Sequence, residues 1–114
     1  MNNCSGVTMN TLQPHPPITL VDEHTAARVA ELFRALGDAS RVRIIAALLG
    51  GELNVGALAA AVGISESAIS HHMRGLRQMR LVRARRDGRQ VYYALDDDHV
   101  VELFKRGLDH VEHG

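Results

Sequence analysis

The chain has 114 residues, 46% of them apolar and 23% charged, which suits one folded domain, is too short for two, and excludes a disordered or fibrous protein. Aromatics are 4% with no Trp, and Cys4 is the one cysteine; the core must come from Ala, Val, Leu and Ile in close-packed helices, and neither a disulfide framework nor a single-chain all-thiolate zinc site is possible. The net charge of zero hides a split: Arg74 to Leu95 holds seven arginines against Asp87, whereas Asp96 to Gly114 holds six acids against Lys105 and Arg106, so two surfaces with different partners are expected.

Residues 1–18, with Pro14-His15-Pro16-Pro17, read as a flexible tail before a domain over 19–114. From Asp22 to Leu36, Ala26, Val29, Ala30, Phe33 and Leu36 recur at helical spacing until Gly37. Asp38 can cap a second helix carrying Val42, Ile45, Ala46 and Leu49, which ends at Gly50-Gly51. A short Ala-rich helix runs from Asn54 to Val62. Gly63 supplies a turn, and Ser65 caps a further helix to about Met79. Two short helices joined through a glycine turn are a helix-turn-helix signature. After Arg80 the period becomes alternating, and Asp87-Gly88 between Leu81–Arg86 and Arg89–Leu95 predicts a β-hairpin. A last helix spans about Asp98 to His113. The expected class is mainly α with a β-hairpin: a winged helix-turn-helix. No apolar run approaches a membrane span and no secretory signal is visible, so a cytoplasmic protein without a membrane partner is expected. A small core makes an obligate homodimer the expectation at this size.

In the helix after Ser65, Ile69, Met73 and Leu76 form a buried stripe, and Ser67, Ser70, His71, Arg74 and Gln78 form the opposite face. That polar, increasingly basic face suits a DNA major groove, where Ser meets donors or acceptors and Arg pairs with guanine O6 and N7. Arg83, Arg85, Arg86 and Arg89 then lie on or near the hairpin tip, placed for phosphates or a minor groove. His72 reads as a boundary residue. Isolated arginine runs are usually solvated faces; here the turn, polar face and basic wing occur in the order double-stranded DNA recognition needs.

The region of the last helix holds Asp97, which precedes or caps it, with His99, His110 and His113. A lone His-x-x-His pair means little. These four, however, form two pairs eleven residues apart, near three whole turns and roughly 16 Å along an axis at about 1.5 Å per residue. One helix cannot close both pairs on one zinc ion, whose ligands sit at about 2 Å. Two antiparallel helices about a two-fold axis can: Asp97 and His99 of one chain meet His110 and His113 of the other, twice per homodimer. One carboxylate and three imidazoles suit tetrahedral Zn(II) or Co(II), and four protein ligands leave no open position for catalysis, so no enzyme is expected.

Together, Ser65-Glu66-Ser67-Ala68-Ile69-Ser70-His71, Asp87-Gly88-Arg89-Gln90-Val91-Tyr92-Tyr93 and the closing Asp-x-His-x10-His-x2-His resemble the ArsR/SmtB family of bacterial winged-helix metal sensors over about residues 22–113. The resemblance implies Asp97, His99, His110 and His113 as ligands of an effector metal. It implies Ser67, Ser70 and His71 as DNA contacts. It also implies a repressor that holds an inverted-repeat operator when metal-free and releases it when metal binds, and that a ligand histidine, His110, hydrogen-bonds toward backbone near Arg80. Members with a thiolate-rich site carry Cys or Asp where Asn54, Gly56 and Ala57 stand here, so a site for lead, cadmium or arsenite is not expected. Nickel-sensing relatives add ligands, which Cys4 or His15 of the tail could supply, so a nickel or cobalt sensor stays open as an alternative. So does a metal-independent winged-helix regulator that uses its last helix only to dimerise.

Overall fold

The computed structural model describes residues 20–113. The expected tail, with Cys4 and His15, lies outside them. Eight elements follow one another: helix α1 (Glu23–Leu36), α2 (Ala39–Leu48), strand β1 (Leu53–Asn54), α3 (Val55–Val62), α4 (Glu66–Gln78), β2 (Val82–Asp87), β3 (Gln90–Leu95) and α5 (Asp98–His113). This is the mainly helical, hairpin-bearing winged helix-turn-helix that the sequence predicts.

The first four helices begin at side-chain caps that satisfy otherwise orphaned N–H groups. Asp22 accepts from the Thr25 N–H at 2.7 Å, Asp38 from Arg41 at 3.0 Å, Asn54 from Ala57 at 2.7 Å and Ser65 from Ala68 at 3.0 Å. The donated backbone hydrogen bonds hold the Asp22 and Asp38 carboxyls below their ordinary range. Between α3 and α4 the chain turns at Gly63, whose φ of 78° is left-handed and whose N–H reaches the Ala59 carbonyl at 2.8 Å.

Ile44, Ile45, Leu48, Leu58, Val62, Ile69, Met73 and Leu76 form one continuous core with Leu81, Val82, Tyr93 and Val100. Ile69, Met73 and Leu76 anchor α4 to the body, as their spacing predicts, and so fix which face it turns outward.

Three expectations change. First, the hairpin is part of a three-stranded antiparallel sheet in the order β1-β3-β2, with Leu53 paired to Tyr93 and Asn54 to Tyr92; a two-residue strand is too short to show a period. Second, Asp87 pairs with Gln90, so the loop is Gly88-Arg89 rather than Asp87-Gly88. Gly88 has φ 63° while Arg89 stays at negative φ, the pattern of a two-residue turn with glycine in its first position. Third, the α1 residues Ala26, Val29, Ala30 and Phe33 are exposed. The helix packs inward through Leu32, Ala35 and Leu36 instead.

Helix α4 ends in a Schellman arrangement: Leu81 N–H returns to the Leu76 carbonyl at 3.0 Å and Arg80 N–H to Arg77 at 2.9 Å. Arg80 takes the left-handed position usual for glycine, with φ 60°, a conformation that costs a side-chain-bearing residue about 1–2 kcal/mol.

Candidate nucleic-acid interface and metal-ligating helix

Ser67, Ser70, His71, Arg74 and Gln78 are all exposed on one side of α4, opposite Ile69, Met73 and Leu76. Ser70, Arg74 and Gln78 line a groove of about 470 Å³ with Arg77 and Tyr93 of the sheet. Arg77 was not among the expected DNA contacts; it stands one turn beyond Arg74, and the i, i+4, i+7 spacing from Ser70 is the signal that could have found it.

His72 is half-buried, and its Nδ1 accepts a hydrogen bond from Arg41 Nε at 3.2 Å. It is therefore a joint between α2 and α4 rather than a base reader. The Arg41 guanidinium passes close over Gly75, where an added Cβ would lie 2.7 Å from its Nη2 and make that side chain shift.

The wing divides its arginines into two groups. Arg83 Nη1 donates to the Leu95 carbonyl at 2.9 Å and to Asp96 at 3.3 Å. Arg85 donates through Nε and Nη2 to the two Glu52 oxygens, at 3.1 and 2.7 Å, and its guanidinium lies 4.7 Å from the centre of the Tyr92 ring. Hydrogen bonding to Arg85 holds the Glu52 carboxyl below its ordinary range and, reciprocally, raises the basicity of Arg85. Arg86 and Arg89 are exposed at the tip, and no hydrogen bond or ion pair engages them among the described residues. Arg85, expected beside Arg86 and Arg89 as a DNA contact, has its fork turned to a carboxylate from before β1 in the single chain.

Asp97 caps α5, its Oδ1 accepting from the N–H groups of His99 at 2.9 Å and Val100 at 3.2 Å. The His99 ring stands in solvent, 3.6 Å from the same oxygen. One end of α5 thus carries Asp97 and His99. The other carries His110 and His113, which share a cavity of about 320 Å³ with Arg106 and Asp109. Among the described residues of one protomer, no three His, Cys, Asp or Glu groups converge on a point that would hold an ion. Between the two ends, Phe104 is half-buried, but Leu103 is 42%, Leu108 36% and Val111 81% exposed. Val29 and Phe33 of α1 are exposed as well, so both helices carry apolar side chains that the single chain leaves uncovered. No described helix is long and apolar enough to cross a membrane.

A helix-turn-helix with a polar outward helix and a basic-tipped hairpin defines a winged-helix DNA-binding regulator. Residues 38–84 match the family model described as "Bacterial regulatory protein, arsR family". The chain is 48% identical over 100 residues to the transcriptional repressor SmtB homolog of Synechocystis, covering 88% of this chain and 74% of that one. It is 41% identical to the cadmium resistance transcriptional regulatory protein CadC homolog of Staphylococcus aureus, over 72% of this chain and 69% of that one. Among solved structures it resembles the homodimeric winged helix-turn-helix DNA-binding domain Mb0332 of Mycobacterium bovis, with TM-score 0.69 and 31% identity, covering 85% of this chain and 96% of that one. The chain belongs to the arsR family. It is a DNA-binding transcriptional regulator and not an enzyme.

Proposed function

We propose that this chain is a metal-responsive repressor. A metal-free homodimer, each subunit contributing the domain of residues 19–114, holds an inverted-repeat operator and releases it in response to Zn(II) or Co(II). The observation behind this reading is the division of one donor set between the two ends of α5: Asp97 and His99 at its start, His110 and His113 at its finish. Relatives named for a homodimeric domain and for cadmium resistance support it.

The ligand residues suit such an ion. They offer one carboxylate and three imidazoles without sulfur, and a closed set of four suits a regulatory rather than a catalytic site. When bound, the metal supplies a cross-link between two α5 helices. Everything else belongs to the chain. If Asp97 and His99 of one helix lie against His113 and His110 of the other, the two pairings centre the two-fold axis on Lys105 to within half a residue. Leu103 of each helix then faces Gly107 of its mate. Leu103 is partly exposed and the space above Gly107 is open, so knob and socket agree with the register that the ligands require.

DNA is bound through Ser67, Ser70, His71, Arg74 and Gln78 in the major groove and through Arg86 and Arg89 on phosphates. The two α4 helices of a dimer must stand about 34 Å apart to meet successive major grooves. Release follows from linkage: an effector lowers DNA affinity only if it binds the dimer arrangement that fits DNA poorly more tightly than the one that fits it well.

Cobalt titration of the purified protein, followed by absorbance, tests the reading. One tetrahedral ion per chain, bound by a dimer and followed by loss of operator anisotropy, is the expected result. An octahedral spectrum would move the assignment to a nickel-type site, and no binding would leave a DNA-binding dimer without a metal effector. Parallel titrations with zinc and nickel rank the metals.

A further inference from the structure

The wing of a DNA-binding protein gains affinity from every arginine it can aim at a phosphate, yet this one commits two of its four elsewhere. Arg83 closes on the strand end and Asp96 at the root of the hairpin. Arg85 sits nearer the tip, facing Tyr92 across the ladder, and its partner Glu52 comes from the turn between α2 and β1, 33 residues away in sequence. The contact joins three things at once. A bidentate carboxylate grips the fork, the guanidinium lies over the Tyr92 ring, and the neighbouring β1 residues pair with β3. A planar, delocalised cation suits all of this, and a lysine ammonium does not.

We infer that Glu52 and Arg85 form a latch that sets the pitch of the wing against the helical body, so that Arg85 is a positioning residue and Arg86 and Arg89 alone make the wing's phosphate contacts. This rests on the DNA-binding fold and not on the metal reading, so it stands or falls independently of zinc.

The latch matters because a two-stranded ribbon held by ladder bonds alone twists and swings easily. Its tip must find phosphates at a fixed distance from the bases read by α4. A carboxylate placed beside a DNA-facing arginine would otherwise be a liability, since it repels the backbone. Its two short hydrogen bonds to a single guanidinium turn that repulsion into a local, neutral strut.

The test measures affinity for operator duplex at several salt concentrations, on the metal-free full-length protein. Removing one phosphate-binding cation from each of the dimer's two wings makes the slope of log K against log [salt] shallower by about 1.8. Arg86→Ala and Arg89→Ala should each show that change. Arg85→Ala should weaken binding about 3- to 10-fold with the slope unchanged, and Arg85→Lys should behave like Arg85→Ala, because Lys keeps the charge but loses the fork. Glu52→Ala should weaken binding to a similar degree, and the double variant Glu52→Ala/Arg85→Ala should be no worse than either single one. Hydrogen exchange should quicken in residues 86–91 of these variants while the core of α4 stays protected, which separates a loosened wing from a failure to fold. The inference is overturned if Arg85→Lys retains wild-type affinity, if Arg85→Ala makes the slope shallower by about 1.8, or if Glu52→Ala tightens binding, because each outcome makes Arg85 an ordinary phosphate contact.

Discussion

Helices α4 and α5 are both amphipathic, and in sequence they look like the same kind of object. In the folded chain they differ. The apolar residues of α4, Ile69, Met73 and Leu76, are fully buried by the body of the same chain. Those of α5 beyond Val100 lie largely open, and its metal-competent side chains are split between its two ends. The packing of α4 is therefore complete within one subunit, whereas α5 keeps an apolar half-surface that the single chain leaves uncovered. A hydrophobic stripe tells that a helix has a partner; only the fold tells whether that partner is already present.

Breaking the half-surface should have the largest effect. Combining Phe33→Glu with Val111→Glu places charges on the open face of α1 and α5, while the α4 core stays intact. The expected product is a folded monomer by sedimentation, with operator affinity down by about 10²- to 10⁴-fold, the advantage of engaging two half-sites at once. Unaltered dimerisation would place the interface elsewhere. His110→Ala should be subtler. Operator binding without metal stays as in the parent, and the zinc-driven drop, about 5- to 150-fold for couplings of about 1–3 kcal/mol, disappears from anisotropy titrations. Zinc that still dissociates this variant would move the coupling away from α5.

On the reading side, Ser70→Ala should change the preference at one base position by about tenfold or less, as seen in competition with operator variants. It should leave the salt dependence alone. The smallest expected effect separates two duties of one side chain. Asp97→Asn keeps a hydrogen-bond acceptor at the start of α5 but weakens zinc binding, whereas Asp97→Ala also destabilises the fold by about 1 kcal/mol in urea titrations. Zinc affinity in the parent should fall as the pH is lowered, because imidazoles ligate only when neutral.

Much of the reading head was legible in sequence. Asp38, Ser65 and Gly63 announce their caps and turn through short-range chemistry, and the outward face of α4 follows from helical period alone. The Glu52–Arg85 pair was not legible, because its partners meet only after β1 joins the sheet, and β1 is two residues long. The exposure of Val29 and Phe33 was equally hidden: period marks a stripe without saying which chain covers it. The two ends of the donor set on α5, by contrast, could be placed from spacing, because a helix is a ruler.

One small contact joins the two regions. Asp96, immediately before the capping Asp97, donates its N–H to the Leu81 carbonyl at 3.0 Å. Leu81 follows Arg80, the left-handed residue that closes α4. The root of the last helix and the exit of the DNA-facing one are thus pinned together through this backbone bond. A tug on the first must either break that bond or be passed to the second through Leu81, itself a core residue.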